Sequence, residues 1–374
     1  MSPPISGVAT SITAFIGSAL CGPTDIPGPV NSFNDFERLY GGLWAQSTLG
    51  YAVQQFFLNG GSQALIVRVE GDGSGGITDA DIIASLPILD HADLFNLLCI
   101  PPLKRSGGDV GKQTWDAAIA YAKSRRAFVI VDPAEHWTTA DDVLNGSTGV
   151  TGVVTAADNA AIYFPRILVG DPLNNGQPES FAPSGAIAGI FAATDMNRGV
   201  WTAPAGIEAA MQGVLGLSLG GSTGPGKLTD ADDGKLSAAG INCLRNVPTT
   251  GTVVWGARTV KGADMLASDW KYIPVRRLGF YIEESVVRGT QWAIFEPNTP
   301  MLWAQITLSV GNFMKTLFAQ GAFKGTTPAQ AYFVQCDNTT ADIASGTLSI
   351  VIGFAMVSPA EFVIVRIQMS NKGS

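Results

Sequence analysis

Apolar positions along this chain fall into two patterns that take turns. Short unbroken apolar runs come at "SITAFIGSA" (11–19), "ALIVRV" (64–69), "LFNLLCIPP" (94–102), "AFVIVDP" (127–133) and "AAIYFPRI" (160–167). Runs of this length, rich in branched and aromatic residues, read as strands buried on both faces. Between them apolar residues recur at spacings of three and four. Phe33, Phe36 and Tyr40 do so in "VNSFNDFERLYGG", where Ser32 is placed to cap the helix. Leu49, Val53, Phe56 and Phe57 do so in "STLGYAVQQFFLNGG", which Asn59-Gly60-Gly61 closes. "TWDAAIAYAKSRR" and "PSGAIAGIFAATDMNRG" read as two more helices. Buried strands alternating with amphipathic helices predict an α/β fold with a mainly parallel sheet.

The texture changes near Lys235. "TDADDGKLSAAGIN" predicts a helix with Thr229 as its cap, acids in its first turn and Gly240 as its stop. "INCLRNV" and "GTVVWGART" predict a hairpin around Pro248–Gly251. "VRRLGFYIEESVVRG" is a second helix, and "MLWAQITLSVGNFMKTLFAQG" is the cleanest one, with Leu302, Ile306, Val310, Phe313 and Leu317 on one face. Three strands close the chain: "AYFVQCD", "GTLSIVIGFAMV" and "EFVIVRIQM". The predicted organisation is an α/β part over 1–235 and an α+β part over 236–374.

Composition sharpens this picture. With 374 residues, 46% of them hydrophobic, the chain can bury a large core; only 14% are charged. So little charge suits a protein that covers much of its surface with neighbours. The charge is uneven: residues 1–235 hold 12 Lys and Arg against 23 Asp and Glu, and residues 236–374 hold 11 against 8. A mildly basic C-terminal part can orient subunits or attract an acidic partner. It is too weak for a nucleic-acid surface, and no basic cluster is interleaved with aromatics. The four cysteines are far apart, which fits buried, reduced thiols in a cytoplasmic product. The start of the chain has no signal-peptide pattern, and no apolar run approaches the ~20 residues of a membrane span.

Two stretches imitate nucleotide sites. "GSTGPGK" (221–227) has the outline of a P-loop. Leu228 stands where a hydroxyl should hold Mg²⁺, Pro225 removes a backbone N–H, and Asp230, Asp232 and Asp233 would repel phosphate. "GDGSGG" places Gly71, Gly73 and Gly76 after a strand, but Ile77-Thr78-Asp79 follows with no helix expected at the turn. The two histidines, His91 and His136, sit in no metal or triad pattern; Asp90, His91 and Asp93 read as a solvated turn. Glu283 and Glu284 point ~100° apart on a helix, so they do not form an acid–base pair. These residues predict no catalytic constellation, no metal and no cofactor.

Several stretches together resemble one family. "SGVATSITAFIG", "VNSFNDFERLYGGL" and "LGYAVQQFFLNGGSQALIVRV" resemble the N-terminal part of phage tail sheath proteins. "AGINCLRN", "GTVVWGART", "WKYIPVRRLGFYIEESVVRGTQWAIFEPN", "LWAQITLSVGNFMKTLFAQGAF" and "SPAEFVIVRIQ" resemble their C-terminal domain. Residues 72–235 match by architecture only. The chain resembles most the short single-chain sheaths of phage-like contractile injection systems.

The resemblance implies a structural subunit rather than an enzyme. Many copies would wrap helically around an inner tube, with baseplate and terminal cap proteins as further partners. Stored-energy contraction would drive the tube through a target envelope. Assembly would occur in the cytoplasm of the producing cell, as part of a phage tail or a contractile particle, with no nucleic acid bound and no membrane insertion. The last strand alternates Val363, Val365, Ile367 and Met369 against Phe362, Ile364, Arg366 and Gln368, and follows Pro359. On the residues alone it is either an edge strand folded back on its own sheet or one added to a neighbour's; the family implies exchange. Lys315 and Lys324, on and after the long helix, are the expected tube contacts. Family members begin with an arm containing a Pro-Gly-Val-Tyr-Val-Glu-Glu-like stretch, and "MSPPISGV" starts where that arm would end. Either that arm has been lost or this sheath links differently; if the arm is missing, only the C-terminal strand is carried over from the exchange scheme. Two rivals stay in view: an α/β enzyme binding a nucleotide at Gly71–Gly76, and a shell or capsid-type protein.

Overall fold

The computed structural model describes residues 3–71, 76–220, 228–337, 341–342, 347–356 and 363–370. They form two compact units. One runs from Ala9 to Arg277; the other joins Met1–Val8 to Leu278–Ser374. The division falls later than the change in texture at Lys235, and the first residues of the chain go with its last third.

In the larger unit the elements in order are β1 (Thr13–Gly17), β2 (Gly28–Val30), α1 (Phe33–Tyr40), α2 (Leu49–Leu58), β3 (Ala64–Arg68), α3 (Asp79–Ser85), β4 (Leu97–Cys99), α4 (Lys112–Ser124) and β5 (Phe128–Val131). Two short helices follow, α5 (Ala140–Leu144) and α6 (Val150–Val153). Then come β6 (Ala160–Phe164), β7 (Arg166–Asp171), β8 (Gln177–Phe181), α7 (Ser184–Arg198), β9 (Val214–Ser218), α8 (Asp230–Ala238), β10 (Asn242–Val247) and β11 (Gly251–Trp255). Helix α9 (Ile273–Gly289) carries the chain from this unit into the other.

Eight strands make one sheet in the order β11-β10-β6-β5-β4-β1-β3-β2. The six inner strands are parallel, and β2 and β11 run antiparallel at the edges. Successive side chains of a strand point to opposite faces, so each apolar run fills two cores. Ala14, Ile16, Val67, Leu98, Val129 and Ile162 pack with Ile82, Trp115 and Leu236 from α3, α4 and α8. Phe15, Ile66, Leu97, Ile130 and Tyr163 pack with Phe36, Val53, Phe56 and Phe191 from α1, α2 and α7. Double burial explains why these strands read as unbroken apolar runs.

Three sequence expectations change. "AAIYFPRI" is two strands, because Pro165, joined to Phe164 by a cis peptide, has no N–H to give a ladder. Its second half, β7, leaves the main sheet and pairs antiparallel with β8 and β9 in a separate three-stranded sheet. A helix, α3, does follow the Gly71–Gly76 loop. Thr78 caps it with a reciprocal box: the Thr78 hydroxyl accepts from the Asp81 N–H, and the Asp81 carboxylate accepts from the Thr78 N–H. Of the four thiols, Cys99, Cys243 and Cys336 are buried, but Cys21 is exposed.

The smaller unit holds the second part of α9, then α10 (Pro300–Ala319), α11 (Pro328–Ala331), β12 (Tyr332–Gln335), β13 (Ala341–Asp342), β14 (Thr347–Phe354) and β15 (Val363–Ser370). β14 is central: β12 and β13 pair on one side of it and β15 on the other, all antiparallel. As the periodicity predicts, Leu302, Ile306, Val310, Phe313 and Leu317 are buried along α10.

Candidate functional site

Open α/β sheets bind ligands outside the C-terminal ends of their strands, where the strand order reverses. Here that place lies between β1 and β4, and the chain itself fills it. The Ser47 hydroxyl donates to the Ser18 carbonyl at 2.6 Å, and the Thr48 hydroxyl donates to the Pro102 carbonyl. A Cβ on Gly17 would already lie 3.2 Å from Leu49. The space left around Thr48, Tyr51, Pro101 and Phe181 is about 10 Å³, at most one water.

Residues 72–75 and 221–227 lie outside the described residues. The helices after them are described, and acids occupy both first turns. In α3, Asp79 accepts from the Gly111 N–H at 2.8 Å and the Thr114 hydroxyl at 2.6 Å. In α8, Asp232 completes a capping box with Thr229, as the sequence implied. These N-termini already have their anions. Asp90 accepts from the Tyr121 hydroxyl at 2.7 Å and pairs with Arg125, and His91 is exposed. Glu284 pairs with Arg288 one turn on at 2.7 Å. Among the described residues no group of three His, Cys, Asp or Glu is placed to hold a metal ion, and no helix is long and apolar enough to cross a membrane.

One buried carboxyl stands out. Asp132, just past β5, is 5% exposed and accepts from the Ser184 N–H at 2.9 Å and the Ser184 hydroxyl at 2.7 Å. It thereby caps α7, whose own capping residue, Pro183, offers no side-chain bond. Burial pushes its pKa up to about 7, against the lowering pull of the Ser184 bonds and of Arg166. Between pH 3.8 and about 7 the native state therefore holds a proton that the unfolded chain has released. This group's contribution to stability is full below pH 3.8 and is lost as pH rises through about 7. Asp132→Asn keeps an oxygen for the Ser184 N–H and an amide for its hydroxyl. Its stability relative to wild type is expected to grow by roughly 1.4 kcal/mol per pH unit between pH 5 and 7. Urea unfolding of both proteins across that range measures it; parallel curves would refute it.

The smaller unit carries the sequence-derived site residues. Lys315 is exposed on α10, and Lys324 is exposed just after it, with its N–H bonded to the Ala355 carbonyl at 3.0 Å. Among the described residues neither lysine joins an ion pair. The exposed face of α10 also bears Met301 (73% exposed) and Leu308 (61%), fourteen and seven residues before Lys315. This second stripe escaped the sequence reading, because the buried stripe accounts for the helix by itself. Phe295, 84% exposed, sits nearby in sequence at φ 77°, a backbone region that bulky residues rarely adopt. Of the terminal strand, Phe362 lies outside the described residues. Val363 to Met369 belong to β15, paired in cis with β14 from Val363↔Phe354 to Ser370↔Thr347.

Residues 3–8 lie along α9 and α10. The Ser309 hydroxyl donates to the Pro3 carbonyl at 2.7 Å, and the Val8 N–H donates to the Ser285 hydroxyl at 3.1 Å. Sequence reasoning had no signal for this segment, which is too short to show a period.

Comparison with known proteins supplies the rest. A family model described as the phage tail sheath C-terminal domain matches residues 267–370. A Pseudomonas aeruginosa protein described as a prophage major tail sheath protein is 26% identical over 271 residues, which is 71% of this chain and 57% of that protein. The chain spans about half the length of the curated relatives it matches. Two solved structures are similar over nearly the whole chain. The contracted helical sheath of the anti-feeding prophage has a TM-score of 0.74 and 27% identity, covering 97% of this chain and 94% of that one. The contracted sheath complex of an extracellular contractile injection system, PVC, has the same TM-score and identity, covering 97% and 93%. The comparisons converge on one likeness: residues 267–370 match the phage tail sheath C-terminal domain, and over nearly its whole length the chain is similar to the sheath proteins of contractile injection systems.

Proposed function

We propose that this chain is the repeating subunit of a contractile sheath around an inner tube, and that its work is conformational rather than catalytic. The observation that carries this reading is the structural likeness, over nearly all of both chains, to two sheaths in the contracted state. Contraction releases energy stored in assembly, with each subunit moving nearly as a rigid body about its terminal connections. A heterologous contact that does not close explains a helical polymer rather than a ring.

In this reading the C-terminal part, 236–374, is the assembly part and faces the tube through Lys315 and Lys324 on and after α10. β15 adds to a neighbour's sheet edge, where main-chain hydrogen bonds tolerate changes in geometry. The partners are further copies of the chain, an inner tube protein, and baseplate and cap proteins. Assembly takes place in the producing cell's cytoplasm. Negative-stain electron microscopy of the chain co-expressed with its cognate tube protein tests the proposal. Striated hollow cylinders of two lengths and widths are expected. Dispersed subunits alone, or closed shells, would refute it.

A further inference from the structure

The smaller unit is assembled from two pieces of chain that are far apart in sequence: the short segment 3–8 and everything after Leu278. Within that unit no covalent bond joins the two pieces; the segment is held as a bound peptide would be. Its hold is specific. Ser285 is 0% exposed and Ser309 is 3% exposed, and each bonds the segment's backbone. Two glycines set the fit. A Cβ on Gly289 of α9 would lie 2.7 Å from the Ile5 side chain, so only glycine leaves room for Ile5 there. A Cβ on Gly7 would lie 1.9 Å from the Tyr281 hydroxyl, so the segment passes Tyr281 only as bare backbone. Tyr281 in turn packs on Phe313 of α10, ring centroids 6.0 Å apart. Beside Pro3–Ile5 a cavity of about 180 Å³ remains, walled by Ser309, Asn312, Phe313 and Thr316.

We infer that α9 and α10 form a binding groove for an extended peptide, and that Pro3–Val8 is its resident ligand. The groove reads two backbone groups through buried serines, one aliphatic side chain over Gly289, and a glycine opposite Tyr281. The hold is non-covalent, made of hydrogen bonds and side-chain packing, so the groove accepts the same sequence from solution once its own segment is displaced.

The test uses the full chain. Hydrogen exchange at the Val8 amide reports seating, and Ser285→Ala, which removes its acceptor, should speed that exchange about tenfold. Gly7→Val should release the segment. A synthetic peptide, MSPPISGVAT, should then bind saturably to the Gly7→Val chain but not to wild type, whose groove is filled. Adding Gly289→Val to Gly7→Val should abolish peptide binding while the far-ultraviolet circular dichroism stays unchanged. Unchanged Val8 exchange in both Ser285→Ala and Gly7→Val would overturn the inference. So would a released segment with no binding of the added peptide.

Discussion

Chains lacking residues 361–374 are expected to form no sheath at all, even with the tube protein present in excess. The physical reason is the bare edge left behind. β15 pairs with β14 over eight residues, and Ile350, Ile352 and Phe354 of β14 are completely buried. Without β15, one whole side of β14 presents unpaired N–H and C=O groups. If β15 stays in its own subunit, the truncation weakens the smaller unit. If it crosses to a neighbour, the truncation also removes the link between subunits. Mixing distinguishes the two. Truncated chains doped into intact ones at a low fraction should shorten cylinders if the strand is a link, because each defect ends a row of connections. Cylinders of normal length and number from the truncated chain alone would sink the proposed exchange.

Arg277→Ala is expected to cost about 3–5 kcal/mol, the usual result of stripping one partner from a buried ion pair. The guanidinium grips Asp195 of α7 with two bonds, at 2.8 and 2.6 Å, and both side chains are 3% exposed. It also donates to the Thr10 carbonyl at 2.9 Å and lies 4.8 Å from the centre of the Phe191 ring. Removing it strips the arginine from a buried carboxylate and from a partly buried carbonyl. Replacing the pair together, as Arg277→Met with Asp195→Leu, should recover most of the loss, because no charge is then stranded. Urea midpoints for the single and double variants measure both effects. A single-variant loss below about 1 kcal/mol would mean that water replaces the arginine, and that the pair behaves like a surface one.

Much of the larger unit was legible because burial on both faces of its sheet writes unbroken apolar runs. "ALIVRV" and "AFVIVDP" became β3 and β5, and Ser32 caps α1 through the Asp35 N–H as its position implied. What failed had a physical cause each time. Helix α3 hid in "ITDADIIAS", where acids that serve the cap look like loop residues. β13 is only two residues long, below any period. The passage between units escaped because α9 continues through Arg277–Leu278 without a break, so no linker composition marks it. The functional surfaces were less legible than the fold. Lys315 is exposed, but Met301 and Leu308 on the same face read as part of an ordinary apolar helix. The groove for residues 3–8 depends on a backbone bond between Val8 and Ser285, 277 residues apart, which no local pattern records.

The chain leaves its smaller unit after Val8 and returns to it at Leu278. In genetic terms everything between is a cassette. An in-frame replacement of that stretch would alter most of the protein and yet leave the peptide groove, α10 and the terminal sheet encoded as before. An exchange of the larger unit would leave the smaller one intact only if the codons for residues 3–8 and for the stretch after Leu278 stayed matched to each other.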